Sequence, residues 1–193
     1  LQYFAAYPDA FAVVDPVMGD NGKAYRTYTP DMCRRMNELV AVADMITPNL
    51  TEASILLGTS YPKAPLRQSE AKSLVARLSE LGPRYVTVTG VELADGKIAN
   101  IGYDRERGEY WRVDCNYVPA SYPGTGDIFT SGMVGAMLGG DSLPMAIERA
   151  TRFLEIAIRT TFSYGSDTRY GVMLESCLSW LTQDQMLDRY RLL

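Results

Sequence analysis

The sequence predicts an α/β domain with a mostly parallel sheet and an antiparallel edge hairpin. Three observations carry that expectation. Short apolar runs end in polar or turn residues and lead into helical patterns, as βαβ units do. Gly58 and Gly82 stand where helix C-caps are expected. Between Val91 and Val113 the pattern changes to short strands punctuated by Asp95-Gly96 and Arg107-Gly108.

Taken in order, Leu1 to Ala10 reads as the end of a helix already under way, so residues 1–193 are expected to be a single domain lacking its N-terminal part. The first run, Phe11-Ala12-Val13-Val14, ends at Asp15. A helix follows near Pro30 to Val42. Met45-Ile46 ends at Thr47, with helices near Asn49 to Leu57 and Gln68 to Leu81. Tyr85-Val86-Thr87-Val88 ends at Thr89-Gly90, which is expected to close the strand. Lys97 to Tyr103 and Glu109 to Val113 form the hairpin. Helices near Thr125 to Leu138, Leu143 to Thr160 and Tyr170 to Leu181 complete the chain.

Composition narrows the chemistry. With 193 residues, 47% hydrophobic and 22% charged, the chain is long enough to bury a core and too apolar for disorder. Its net charge of -4, with no concentrated basic face, argues against nucleic acid as a partner. The apolar run Ile128 to Gly140 is too short to cross a bilayer. Histidine is absent, which removes Ser-His-Asp and Cys-His catalysis, His-ligated zinc and imidazole acid/base chemistry. Cys33, Cys115 and Cys177 are isolated, giving no CxxC pair and suggesting a reducing compartment. Acid/base work falls to carboxylates, Lys or Tyr.

Gly124-Thr125-Gly126-Asp127 opens a helix. Glycines before a helix turn backbone N–H groups inward, and the helix N-terminus adds partial positive charge, which suits a phosphoryl group. Asp127 beside it is placed to take a proton from an attacking hydroxyl. The competing reading is a carboxylate that only stabilises the first turn, worth about 0.3–1 kcal/mol. Gly132 and Gly135 are expected to allow close helix packing. Asp15-Pro16-Val17-Met18-Gly19-Asp20, with Gly22 and Tyr25 after it, puts two carboxylates on a strand-end loop. They suit hydrated Mg²⁺ near phosphates, or merely cap local N–H groups. Asn49 and Glu52 form a capping box by spacing, and the same pair suits outer-sphere Mg²⁺ binding. Thr89 could touch a phosphate oxygen, or belong to an ordinary turn. No GxxxxGK[ST] occurs, so P-loop chemistry is unsupported.

In this order, Asp15-Pro-Val-Met-Gly-Asp20 with Tyr25, Thr47-Pro-Asn49-Leu-Thr-Glu52, Thr89-Gly90 and Gly124-Thr-Gly-Asp127 resemble the ribokinase-like superfamily and, within it, the pyridoxal (pyridoxine, pyridoxamine) kinases. The resemblance implies a ribokinase-like three-layer α/β/α fold and ATP-dependent phosphorylation of the 5′-hydroxymethyl group of vitamin B6 forms. It makes Asp127 the catalytic base and Gly124, Thr125 and Gly126 the anion hole. Asn49 and Glu52 organise Mg²⁺ through water. Asp15 and Asp20 lie near metal and phosphates, Thr89 touches the nucleotide phosphates, and Tyr25 sits on a loop that closes near them. The hairpin and Asn116 to Pro123 border the adenine. Mg²⁺ and ATP are the implied cofactors, with room for a monovalent cation, and a cytoplasmic homodimer without membrane or nucleic-acid partners is the implied setting. The alternatives are a hydroxymethylpyrimidine (phosphate) kinase and a truncated, non-catalytic nucleotide-binding module. The former typically has cysteine where Asp127 stands and lacks Gly-Asp after Asp-Pro-Val-Met.

Overall fold

The three apolar runs become parallel neighbours. In the computed structural model, which describes residues 2–7, 9–116 and 118–193, β1 (Val13–Val14) pairs with β4 (Met45–Ile46), and β4 with β5 (Tyr85–Glu92), both in parallel. The register runs Val13↔Met45↔Tyr85 and Val14↔Ile46↔Val86. Met45, Ile46 and Val86 are fully buried, as apolar strands covered on both faces should be. The Asp44 carboxylate accepts the Ala12 N–H at 2.7 Å and ties the entry to β1 against the entry to β4. Leu1 and Pro8, in the expected opening helix, and Tyr117, in the expected adenine segment, lie outside the described residues; α1 covers Gln2–Ala6.

From β5 the sheet turns antiparallel through β6 (Ile98–Asp104) to β7 (Glu109–Asp114), and β8 (Tyr190–Leu192) comes last, in the order β1-β4-β5-β6-β7-β8. The expected hairpin is therefore present, but β8 rather than β7 is the outermost strand. A separate small hairpin, β2 (Gly19–Asp20) with β3 (Lys23–Ala24), occupies what the sequence suggests is only a loop. Its turn has Asn21 at φ 51° and Gly22 at φ 75°, the pair of positive φ values that a tight hairpin turn requires. A Cβ at Gly19 would fall against the Lys23 carbonyl, so only glycine fits there.

The described residues form two compact units, one running to Arg112 with Leu192–Leu193, the other Val113–Arg191. In the first unit, α2 (Pro30–Val40), α3 (Leu50–Leu56) and α4 (Gln68–Ser79) accompany the strands. Pro30 sits at the first helical position after the N-cap Thr29, whose hydroxyl accepts the Met32 N–H at 3.2 Å. The core joins Val40, Ile46, Ala53, Val75, Leu78, Val86, Val88 and Ile101.

In the second unit, α5 (Thr125–Leu138) starts and stops where the sequence suggests. It packs on α6 (Leu143–Ser163) through Gly132, where a Cβ would meet that of Ala150 at 3.4 Å. Gly135 meets nothing within 4 Å and lines a cavity instead, so close packing explains one of the two glycines only. The expected last helix is 3₁₀ rather than α, in two pieces, Thr168–Tyr170 and Leu174–Thr182. Gly171, at φ 73° between them, interrupts the i→i+4 pattern. Phe153, Ala157 and Cys177 pack these pieces onto α6. No helix among the described residues is long and apolar enough to cross a membrane.

One buried carboxylate organises the end of this unit. Glu148, fully buried on α6, accepts N–H bonds from Asp188 (3.1 Å), Arg189 (2.8 Å) and Tyr190 (3.1 Å), and Arg152 donates to it at 3.2 Å. Removing the acceptor strands three backbone N–H donors and takes the carboxylate from Arg152. Glu148→Ala should therefore cost about 3–5 kcal/mol in urea denaturation, with faster hydrogen exchange at residues 188–190. Unchanged protection there would contradict this anchoring.

Candidate functional site

The start of α3 is held by a reciprocal pair. The Asn49 side-chain oxygen accepts the Glu52 N–H at 2.9 Å, and a Glu52 carboxylate oxygen accepts the Asn49 N–H at 2.8 Å. The capping box is therefore real, yet each side chain also uses its other atom. Asn49 Nδ2 donates to the Gly19 carbonyl at 2.9 Å, and Glu52 Oε1 accepts the Met18 N–H at 3.1 Å. Thr51, which the sequence reading passed over, accepts the Gly22 N–H at 2.9 Å through its hydroxyl. Three helix-start residues, Asn49, Thr51 and Glu52, thus grip the loop that carries Asp20. Its signal was available: a hydroxyl inside a first turn, followed by a glutamate with a second free oxygen.

Glu52 is only 4% exposed. Burial, with a smaller push from the charge of Asp15, raises its carboxyl to about 7, against the downward pull of the Asn49, Met18 and Gly19 amides. No Lys or Arg pairs with Glu52 among the described residues. A carboxylate of this kind beside a second one fits a hydrated divalent cation, which keeps its waters and needs few protein oxygens. Tyr25 is nearly half exposed, and its hydroxyl is pushed up by burial and by the charges of Asp20 and Glu52. The Tyr25 N–H donates to the Met18 carbonyl at 2.8 Å, which ties it to the same loop.

Thr89-Gly90 does not end β5. The strand continues to Glu92 across a bulge between Val88 and Val91, because Ile101 and Ala99 of β6 are two residues apart where their partners are three apart. Gly90, at φ 64°, donates to the Asn100 side chain at 2.9 Å, while the Thr89 N–H donates to the Pro48 carbonyl at 3.0 Å. Thr89 is consequently bridged to Asn49. Asp20, Asn49, Thr89 and Gly90 line one cavity of about 390 Å³, with Glu92 and Lys63 among its other walls. Glu52 is buried and does not line this cavity, and neither Asp15 nor Tyr25 is a lining residue. Asp20, exposed, also caps the Asn21 N–H at 2.8 Å, so the local-capping reading of the loop holds for it as well.

In the second unit, Gly124 is the N-cap of α5 at φ 81°, a conformation that glycine adopts without strain. The first intrahelical bond is given by Ile128 N–H to the Gly124 carbonyl at 3.1 Å, so the amides of Thr125, Gly126 and Asp127 precede the helical ladder. The Thr125 hydroxyl turns back to the Tyr122 carbonyl at 3.2 Å. Asp127 is exposed and opens onto a cavity of about 800 Å³, floored by Gly132, Gly135 and Gly139 and walled by Leu174, Leu178 and Leu181. The Asn116 end of the expected adenine segment is fastened to α6: Glu155 accepts its N–H at 2.6 Å and its side-chain amide at 2.8 Å.

An α/β sheet edge bears acidic and hydroxyl groups, and a glycine-capped helix with a carboxylate in its first turn follows in the same chain. The chain belongs to the phosphomethylpyrimidine kinase family, whose profile matches residues 2–171. It is 31% identical over 161 residues to the pyridoxal kinase of Arabidopsis thaliana, covering 80% of this chain and 50% of that protein. A Bacteroides thetaiotaomicron protein, named as a candidate phosphomethylpyrimidine kinase and solved with pyridoxal, is 42% identical, with TM-score 0.92 over all of this chain and 68% of its own. Pyridoxal kinase from Lactobacillus plantarum is 29% identical, with TM-score 0.80 over 93% of this chain and 65% of its own. The fold is ribokinase-like α/β. The chain spans about half the length of the curated relatives it matches.

The raised Glu52 carboxyl sets a pH dependence. Unfolded, it titrates at its ordinary 4.5; folded, at about 7. Between those values the folded state holds a proton that the unfolded state has lost, so stability falls as pH rises through this window and is level above it. Denaturation at pH 5 and pH 8 should show wild type losing more stability across that interval than Glu52→Gln does. Equal losses would contradict the buried-carboxyl assignment.

Proposed function

We propose that the intact protein transfers the γ-phosphoryl group of ATP to the 5′-hydroxymethyl group of pyridoxal and related B6 vitamers. The observation that carries this reading is the first turn of α5: amides free of the helical ladder beside an exposed carboxylate opening on a cavity. The likeness to pyridoxal kinases, and to a protein solved with pyridoxal, supports the choice of substrate.

In this mechanism Asp127 accepts the substrate hydroxyl proton as that oxygen attacks the γ-phosphorus. The bond from the γ-phosphorus to the bridging oxygen breaks, and ADP carries away the electron pair. Gly124, Thr125 and Gly126 direct their amides at the equatorial phosphoryl oxygens, where charge grows most. Asp20 and Thr89 lie along the phosphates, Asp15 supports the metal end, and Tyr25 belongs to the covering loop. Asn49 and Glu52 would hold Mg²⁺ through water, and the ion would there neutralise phosphate charge. Residues 116–123 border the adenine. Residues 1–193 are read as part of one ribokinase-like domain, in a homodimer of the cytoplasm, in keeping with the lack of disulfides among the described residues.

A second reading has the family profile behind it: phosphorylation of a hydroxymethylpyrimidine. Asp127 and Gly19-Asp20 favour the pyridoxal reading. Turnover of pyridoxal and hydroxymethylpyrimidine by the intact protein, with ATP and Mg²⁺, separates the two by their kcat/KM ratio.

Asp127→Asn should lower turnover about 10²–10⁴-fold with ATP affinity nearly unchanged, since a general base acts mainly in the transition state. A loss under tenfold removes the base assignment. Gly124→Ala meets only Asp127 Oδ2, at 4.0 Å, so its effect is backbone strain at positive φ rather than crowding. Displacing the amides should cost about 10²–10³-fold in kcat; wild-type turnover would remove the anion hole.

A further inference from the structure

Lys63 lies outside every motif considered so far. It sits in the loop from Thr59 to Leu66, whose two ends are pinned. The Thr59 N–H donates to the Ser54 carbonyl at 2.9 Å, and Leu66 both donates to Glu92 (2.8 Å) and accepts from Ala94 (2.9 Å). Between the pins, Pro62 and Pro65 restrict φ. The Tyr61 ring lies so close to Gly22 that a Cβ there would meet it at 3.1 Å, which presses the loop against the β2–β3 hairpin. The loop thereby forms a wall of the 390 Å³ cavity that also holds Asn49, Thr89 and Gly90.

Lys63 is the one cationic side chain among the described residues lining that cavity, where Asp20 and Glu92 supply negative charge. No carboxylate pairs with it among the described residues. A nucleotide polyphosphate lying along Asp20 and Thr89 needs positive charge from the protein as well as from a metal, and no Walker lysine supplies it. We propose that Lys63 is a phosphate-binding residue, reaching the polyphosphate of the nucleotide from the Thr59–Leu66 wall. This deepens the ATP-dependent reading and rests on it. A lysine suits the task because its ammonium is a compact charge on a flexible stem, placed on a loop whose own ordering cost is already met.

The test is binding of ATP and of adenosine to the intact protein by calorimetry and ligand-observed NMR, for wild type, Lys63→Ala and Lys63→Arg. Lys63 is exposed, so these variants should fold normally. The expected result is ATP affinity weakened about tenfold in Lys63→Ala, adenosine affinity unchanged, and Lys63→Arg within threefold of wild type. ATP affinity unaltered in Lys63→Ala would overturn the assignment while leaving the nucleotide reading intact. Equal weakening of ATP and adenosine would also overturn it, by making the loop's effect structural. Wild-type protein that binds no ATP would overturn the reading beneath it, and Lys63 with it.

Discussion

A single pair of side chains, Asn49 and Glu52, carries more of the first unit than any other. Each satisfies an orphan amide of α3, and each reaches out of the helix to fix Met18 or Gly19. Helix start, strand-end loop and small hairpin are thus one hydrogen-bonded object. The cost is visible in Glu52, a carboxylate so deprived of water that it holds its proton to near neutrality. A purely structural cap would do as well at the surface. Burying it beside Asp15 makes the cap a tertiary clasp as well as a helix start.

Much of the fold was legible because punctuation and periodicity agreed. Gly124 and Gly139-Gly140 bracket α5, and the sequence and structure give it the same ends. The three apolar runs could be recognised as strands because no charged residue, glycine or proline interrupts them. The β2–β3 hairpin was missed although Asn21-Gly22 is a strong turn signal; strands of two residues carry no alternation to accompany it. Residues 170–181 carry helical hydrophobic spacing, which cannot distinguish 3₁₀ from α once Gly171 breaks the run. Strand β8 was invisible because Tyr190–Leu192 takes its partner from β7, about 80 residues earlier in the chain.

The site was legible in its residue types more than in its geometry. Asp20, Asn49 and Thr89 do line one cavity, because parallel strand ends and the following helix start converge there. Nothing in the spacing says that Thr51 would hold Gly22, or that a loop eleven residues beyond Glu52 would contribute a lysine to the same wall. Those contacts depend on how Tyr61 rests against the hairpin, a tertiary matter. Glu148 and Glu155 belong to the same class: acidic residues in an amphipathic helix read as solvated, whereas here they collect backbone amides from distant segments.

The bulge in β5 has an implication for how this chain compares with its kin. Val88, Val91 and Leu93 all point into the core, and they would alternate regularly if one residue between Val88 and Val91 were excised. The apolar interior therefore has no use for the surplus residue, and the ladder is weaker for containing it. What it accomplishes is local: it turns Gly90 toward Asn100 and leaves Thr89 beside Asn49. The count of residues across this short span, rather than their identity, becomes the marker to compare, and an aligned sequence one residue shorter there would share the scaffold without this Thr89–Asn49 juxtaposition.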